Sequence, residues 1–244
     1  MSNKINCIVL HRIVKDNVTF FEDIELPNFE YLVNIVKEKT IITNEIKSIN
    51  SDSYILTFDD GNKSDFEIVL PILNKYKLKA IFFIVPFFVG KEDYLTWEQI
   101  KVLKDNGMEI GSHSLTHPNF TKLNKDEKIT EIMESKRIIE SKLNSKIHSF
   151  AFPFGFFDKE SENIVLSSGY SFCFNSMHGL NGTSSKVLKR NSLNNSSNKL
   201  NIDNTLNPEN KTLLLWYLED FVKSKLKYIF GKRYNLLRNW ILDH

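Results

Sequence analysis

The chain has 244 residues, a length that suits one large domain or two small ones. Hydrophobic residues make up 41% and charged residues 25%, an ordinary balance for a globular protein. The formal net charge is only +2, so no strong overall field attracts nucleic acid, and we expect no nucleic-acid partner.

Apolar runs that predict buried strands alternate with amphipathic stretches that predict helices. The predicted strands are, in chain order, 6–11, 54–58, 80–85, 108–112, 147–152, 170–175 and 186–190. The predicted helices cover 65–77, 96–107 and 124–143, with N-caps at Thr96 and Asn124. This alternation indicates an α/β fold with a parallel sheet or barrel, in which reactive side chains gather at the carboxyl ends of the strands. Cys7 and Cys173 lie within strand runs, which predicts buried reduced thiols.

The chain divides by composition into three parts. Residues 1–190 form the α/β body. Residues 191–210 contain eight asparagines and predict a polar loop or linker. Residues 211–244 carry seven Lys and Arg against three Asp and Glu, a balance of +4, which leaves −2 for the rest. This part is a basic amphipathic helical tail.

Two interpretations of the tail stay open. Its apolar residues could close the body by packing on it, or they could lie on an anionic membrane surface, as basic amphipathic helices with tryptophan do. Residues 1–16 carry too short an apolar run for a secretory signal, and no stretch approaches the ~20 apolar residues of a membrane span. We therefore expect a cytoplasmic location, which the second interpretation would make peripheral at the inner face of the membrane.

Three short motifs follow predicted strands. Asp59 and Asp60 come directly after 54–58, and His113 and His117 come after 108–112. A tight turn, 153–155, follows 147–152. Two imidazoles and one carboxylate with open positions for water are typical of a catalytic metal site, where the metal lowers the pKa of water toward ~7. The second carboxylate could then act as a base, although spacing does not decide which aspartate does which.

Ordinary structure explains each motif when it is taken alone. An Asp-Asp pair before a glycine is common in solvated turns, histidines four apart are often structural, and Pro-Phe-Gly is often only a turn. Their occurrence at equivalent strand ends favours a shared site.

In this order and spacing, the chain resembles the polysaccharide deacetylases of the NodB-homology group, carbohydrate esterase family 4, through LTFDDG, HSLTHPNF and FAFPFG. The resemblance covers roughly residues 5–190. It implies a distorted (β/α) barrel of about seven strands and a divalent metal, most often Zn²⁺, with Co²⁺ or Ni²⁺ as alternatives. It also implies hydrolysis of an N-acetyl group on a glycan sugar, with release of acetate. An O-acetyl esterase, a sugar deformylase and a non-catalytic glycan-binding relative are the alternatives.

The resemblance also implies roles for single residues. Asp59 corresponds to the general base, and the metal ligands correspond to Asp60, His113 and His117. The backbone N–H of Phe154 would stabilise the tetrahedral oxyanion.

The chain departs from the family pattern at two points. Ala151 stands where the third motif usually has an arginine that orients the base, and Arg190 is our candidate replacement. No Leu-x-His follows residue 190 to supply the general acid. We predict that His11 supplies it, as in the permuted poly-N-acetylglucosamine deacetylases, although Leu10 replaces their tyrosine.

Other residues near the motifs have less specific interpretations. His178 is the rival general acid, and His148 is predicted to be structural. We expect four phenylalanines, Phe82, Phe83, Phe87 and Phe88, to lie mostly in the core. Four others flank the motifs and could contact a sugar ring or pack in the core, namely Phe120, Phe154, Phe156 and Phe157.

Overall fold

The structure, a computed structural model, describes residues 3–230 and contains eleven strands and seven α-helices in that range. The strands are β1 (Lys4–Leu10), β2 (Ile13–Val14), β3 (Ile24–Glu25), β4 (Ser53–Phe58), β5 (Ile81–Ile84), β6 (Glu109–Ser112), β7 (Ser149–Ala151), β8 (Phe172–Phe174), β9 (Asn181–Gly182), β10 (Val187–Leu188) and β11 (Arg190–Ser192). The helices are α1 (Leu26–Val36), α2 (Leu70–Tyr76), α3 (Trp97–Asp105), α4 (Lys125–Leu143), α5 (Lys159–Ser167), α6 (Lys199–Leu206) and α7 (Asn210–Phe230).

Eight strands form a parallel sheet in the order β10-β8-β7-β6-β5-β4-β1-β11, and β9 pairs antiparallel with β1. The two edges of this sheet are joined by one short segment. Val187 pairs with Cys173 of β8, whereas Arg190 pairs with Cys7 of β1. The sheet is therefore a nearly closed barrel, and the predicted α/β barrel is confirmed.

The predicted strand 186–190 is wrong in its bounds. The segment is divided into β10 and β11, with Lys189 between them, because its two halves pair with opposite edges of the sheet. Arg190 consequently begins β11 and does not end a strand. The other six predicted strands correspond to β1, β4, β5, β6, β7 and β8 within two residues at each end.

The barrel has an inner and an outer apolar layer. Alternate residues of a strand face opposite sides, so β1 contributes Ile5 and Cys7 to one cluster and Ile8 and Leu10 to the other. The first cluster contains no residue from the seven α-helices and therefore fills the barrel interior. The second contains the buried faces of the helices and surrounds the barrel. Because both faces are covered, the strands are almost continuously apolar. Cys7 and Cys173 are buried free thiols, as predicted.

The helix caps agree with the sequence. The side chain of Thr96 accepts a hydrogen bond from the Gln99 N–H at the start of α3, and that of Asn124 accepts one from Glu127 at the start of α4. The predicted helix 65–77 is less regular than expected, because residues 65–69 form a π-helical turn before α2.

Composition predicts a loop over the whole of 191–210, but only part of this segment is a loop. It contains the end of β11 and the whole of α6, in which Ile202 and Leu206 are buried. Its asparagines serve particular hydrogen bonds. Asn198 caps α6, and the side-chain amide of Asn191 donates to Asn6, 2.8 Å away. Each role uses the ability of the short asparagine side chain to donate or accept a hydrogen bond.

The tail begins as the helix α7, and residues 231–244 lie outside the described part of the chain. Among the described residues, no helix combines the length and the hydropathy needed to cross a lipid bilayer.

Candidate active site

The motif residues lie at one end of the barrel. Asp59 follows β4, His113 follows β6, and the turn Pro153–Gly155 comes two residues after the end of β7. His11 directly follows β1. Because β1, β4, β6 and β7 belong to one parallel sheet, their carboxyl ends share one edge. The predicted gathering of the reactive residues is therefore observed.

Asp60, His113 and His117 form a compact cluster. Nε2 of His117 lies 3.3 Å from Oδ1 of Asp60, and Nε2 of His113 lies 3.6 Å from the same oxygen. One ligand atom from each of the three residues lies within 4.8 Å of the other two. The three predicted metal ligands are thus brought together.

Unusual backbone conformations aim these side chains. Asp60, His117 and Phe154 have φ angles of 75°, 65° and 56°, in the left-handed region that disfavours residues with a Cβ. Each such residue costs on the order of 1–3 kcal/mol, and these conformations concentrate at functional sites. Gly61, at φ 73°, continues the turn without that cost.

The imidazoles present lone pairs to the cluster. Nδ1 of His113 lies 2.9 Å from the carbonyl oxygen of Ala151, which can only accept, so Nδ1 carries the proton and Nε2 is left free to bind a cation. Burial lowers the pKa of His117 to about 4. His117 is therefore neutral at neutral pH, which is the form that binds metals.

The cluster fits a divalent cation. Oδ1 of Asp60 is buried and has no hydrogen-bond partner, although it lies between two imidazoles. A buried carboxylate oxygen without a partner is costly, and a cation would offset that cost. One carboxylate and two neutral imidazoles are ligands that Zn²⁺ accepts, and three protein ligands leave a position open.

Asp59 is held by a bidentate ion pair with Arg190. Nη1 and Nη2 of Arg190 donate to Oδ1 and Oδ2 of Asp59 at 2.7 and 2.8 Å, and the two residues are 1% and 2% exposed. Burial alone would raise the pKa of Asp59, but the charge and hydrogen bonds of Arg190 outweigh it and hold the pKa well below its usual range. Asp59 is therefore ionised, with Oδ2 3.6 Å from Nε2 of His113.

Arg190 is fixed by further contacts. Its Nε donates to the carbonyl of Asn175 at 3.1 Å, and its Nη1 also donates to the hydroxyl of Thr57 at 3.2 Å. The structure thus brings Arg190 into contact with Asp59, as the sequence analysis expected. At the position where the family usually has arginine, Ala151 instead contributes its carbonyl to His113.

The remaining histidines separate in space. His11 lies beside the site. It is close enough to Asp59 and His117 that a positive charge on its ring would lower the pKa of each. His178 instead pairs with Asp220 of α7. His148 precedes β7 and therefore lies at the opposite end of the barrel.

The aromatic residues around the motifs also differ in exposure. Phe154 is 55% exposed, and its ring lies 4.4 Å from that of His117. Phe120 and Phe156 are buried, and Phe157 stacks on Phe152, so these three belong to the core. Phe87, which we expected in the core, is 59% exposed.

Asp65 is a buried acidic residue that the motif analysis missed. Both of its carboxylate oxygens are buried without a hydrogen-bond partner, at the start of the π-helical turn. Burial, together with the charge of Asp60, raises the pKa of Asp65 well above its usual value. In sequence it reads as an ordinary helix-start acid, and only its burial distinguishes it.

Comparison with known proteins agrees with this geometry. Residues 47–173, just over half of the chain, match the family model described as polysaccharide deacetylase. The chain belongs to the polysaccharide deacetylase family. Superposition of this family member on the Streptococcus pyogenes deacetylase PplD, solved in complex with acetate, gives a TM-score of 0.77 over 85% of this chain and 100% of that one. At 21% identity this likeness shows the fold.

Two curated relatives have longer chains. The Bacillus subtilis peptidoglycan-N-acetylmuramic acid deacetylase PdaC is 36% identical over 110 residues, 45% of this chain and 21% of that protein. The Staphylococcus aureus poly-beta-1,6-N-acetyl-D-glucosamine N-deacetylase is 24% identical over 133 residues, 49% of this chain and 46% of that protein. The match therefore spans less than half the length of either relative.

The geometry of the cluster predicts which substitutions should weaken the binding of Zn²⁺. Asp60→Ala, His113→Ala and His117→Ala should each weaken Zn²⁺ binding by more than the ~10–100-fold that follows loss of an outer-shell partner. Isothermal titration of Zn²⁺ into each chelator-treated variant measures this. His148→Ala, at the other end of the barrel, is the control and should bind like the parent. Unchanged affinity in the three variants would contradict the ligand assignment.

The buried ion pair predicts a large coupling in stability. Arg190→Met should lower the free energy of unfolding by about 3–5 kcal/mol, because it leaves the Asp59 carboxylate buried without a counterion. Arg190→Met combined with Asp59→Asn should recover part of the loss. Urea denaturation of both variants measures the coupling.

Lys63→Met is the control for an exposed pair, since Lys63 and Glu67 are both about half exposed. It should change stability by less than about 1 kcal/mol. Equal losses from Lys63→Met and Arg190→Met, or no recovery in the double variant, would contradict the coupling.

Proposed function

We propose that the chain is a metal-dependent hydrolase that removes the acetyl group from an N-acetylated sugar of a poly- or oligosaccharide and releases acetate. The observation that carries this proposal is the Asp60, His113 and His117 cluster with the ionised Asp59 beside it. Zn²⁺ is the expected cation because of the nitrogen-rich ligand set, and Co²⁺ or Ni²⁺ are alternatives.

A divalent cation held by Asp60, His113 and His117 would polarise the acetyl carbonyl and acidify a water molecule. Asp59 accepts the proton of that water in this scheme. Arg190 keeps Asp59 ionised and occupies both of its oxygens from one side, which fixes the direction of the carboxylate. The low pKa means that the base is in its accepting form at neutral pH.

The leaving amine needs a proton before the C–N bond breaks. His11 is our proposed donor because it directly follows β1. Strand β1 lies between β4, which Asp59 follows, and β11, which begins with Arg190. His178 is a weaker candidate, since its ring nitrogen is taken by Asp220 and its ring stacks on Trp216.

Phe154 lies beside His117, in the turn that follows β7. Its left-handed backbone turns the chain sharply after Pro153, and its exposed ring lies against His117. We propose that its backbone N–H stabilises the oxyanion and that its ring packs on the sugar.

The relatives support the class of substrate. By their names, PdaC acts on N-acetylmuramic acid in peptidoglycan, and the Staphylococcus aureus enzyme acts on poly-beta-1,6-N-acetyl-D-glucosamine. The shared chemistry is an acetamido group on a hexosamine within a polymer, which is the substrate class that we propose.

Acetate release tests the function. The Zn²⁺-loaded chain should release acetate from N-acetylglucosamine oligomers, and Asp59→Asn should lower turnover by ~10²–10⁴-fold while Zn²⁺ affinity is retained. Because Asp59→Asn also leaves Arg190 without its counterion, thermal melting must accompany the assay. Release of acetate only from O-acetylated sugars would indicate the esterase, release of formate would indicate the deformylase, and glycan binding without turnover would indicate a non-catalytic relative.

The proposed acid predicts a contrast between two substrates. His11→Ala should lower hydrolysis of the N-acetyl amide by ~10²–10⁴-fold but affect an activated acetyl ester much less, because a good leaving group needs no proton. The measurement is the ratio of the two losses in kcat/KM. His178→Ala is the control and should leave the ratio unchanged. Equal losses on both substrates after His11→Ala would remove the acid role from His11.

A further inference from the structure

The helix α7 is attached to the barrel through polar and aromatic contacts on one side. Its Asp220 accepts from the backbone N–H of His178 at 2.8 Å and lies 3.0 Å from Nδ1 of the same histidine. Trp216, one turn earlier, stacks on the His178 ring with 5.4 Å between ring centroids. Residues four apart share a helix side, so Trp216 and Asp220 define the side that faces the body.

The other side of α7 is apolar and exposed. Each residue advances about 100° around a helix, so Leu214 and Leu218 lie about 200° from Trp216 and Asp220 respectively. Leu214 is 59% exposed and Leu218 is 48% exposed. Four further large side chains of α7 are between 45% and 70% exposed, namely Leu215, Tyr217, Phe221 and Val222.

This orientation is the reverse of that of an ordinary surface helix. The hydrophobic effect favours burial of the apolar side, and α1 does so with Phe29, Leu32 and Val33, which are fully buried. In α7 the apolar side points outward, and the six exposed residues are close together, between positions 214 and 222. A contiguous exposed apolar patch of this kind indicates a surface for a partner.

Charge identifies the kind of partner. From Lys211 onward the chain carries seven basic and three acidic residues, whereas the preceding part has a balance of −2. Three lysines, Lys223, Lys225 and Lys227, follow the apolar patch directly. A second copy of the chain would bring like charges together, but an anionic surface would be attracted.

We propose that α7 is a peripheral anchor that lays residues 214–222 on an anionic lipid surface. Apolar side chains enter the acyl boundary, and the net positive charge of the tail attracts the anionic headgroups. In this proposal the helix lies in the plane of the interface, as amphipathic helices with a basic flank do. This inference is independent of the proposed reaction, since it concerns lipid binding by a helix attached at His178.

Vesicle sedimentation of the full chain tests the anchor. The chain should sediment with vesicles of phosphatidylcholine mixed with phosphatidylglycerol and much less with phosphatidylcholine alone. Leu214→Glu with Leu218→Glu should lower the partition coefficient at least about tenfold, because two apolar contacts are lost and two negative charges are added. Met133→Glu with Leu200→Glu is the matched control, since both residues are exposed but lie in α4 and α6.

The lysines supply a second, separate test. Changing Lys223, Lys225 and Lys227 to Gln should lower partition into the anionic vesicles at least about fivefold, from about 1 kcal/mol for Lys225, which lies about 180° around the helix from Trp216 on the apolar side. Absence of sedimentation, equal binding to both vesicle types, or equal losses in the α7 and control variants would overturn the proposal. So would a dimer in light scattering that Leu214→Glu with Leu218→Glu dissociates, if the parent does not bind vesicles. Sedimentation requires no turnover, so failure here leaves the deacetylase proposal standing.

Discussion

The ion pair between Arg190 and Asp59 joins the closure of the barrel to the chemistry of the site. Arg190 begins β11, the strand that closes the sheet against β1, and its side chain reaches Asp59, the residue that follows β4. A guanidinium and a carboxylate that are both almost fully buried are strongly destabilising when either loses its partner. The barrel can therefore close with low energy only when the two charges meet, and that same contact keeps the proposed base ionised.

The remaining charges at the barrel mouth follow from this pair. Three carboxylates lie close together there, and Arg190 neutralises only Asp59. Asp65 is buried next to the others, and its raised pKa favours the neutral acid. Asp60 is left with a buried oxygen that has no hydrogen-bond partner and that faces two imidazoles. With Asp59 paired and Asp65 neutral, Oδ1 of Asp60 is the buried carboxylate oxygen at which a cation would be most favourable.

The features that could be predicted from the sequence are those that depend on residues close together in the chain. The strands, the caps at Thr96 and Asn124, and the three motifs at strand ends could be predicted because each depends on neighbouring residues. The division of 186–190 could not, because it depends on which sheet edges lie beside the segment. Arg190 and Asp59 are 131 positions apart in the chain. The sequence suggested their contact only because Ala151 stands where the family usually has an arginine, so that another arginine had to be sought. The left-handed backbone at Asp60 and His117 could not be predicted from the residue types, because positive φ is uncommon for any residue other than glycine.

The orientation of α7 is another feature that could not be predicted from the sequence. Its sequence is amphipathic, and amphipathicity predicts that one side is apolar without saying what that side meets. The contacts of His178 decide the question, because they hold the polar side of α7 against the loop that follows β8. The same loop also contacts Arg190. The carbonyl of Asn175 accepts from Nε of Arg190, and the carbonyl of Met177 accepts from the backbone N–H of Arg190. One short segment, 175–178, therefore sets both the direction of the guanidinium that holds Asp59 and the direction in which α7 presents its apolar side.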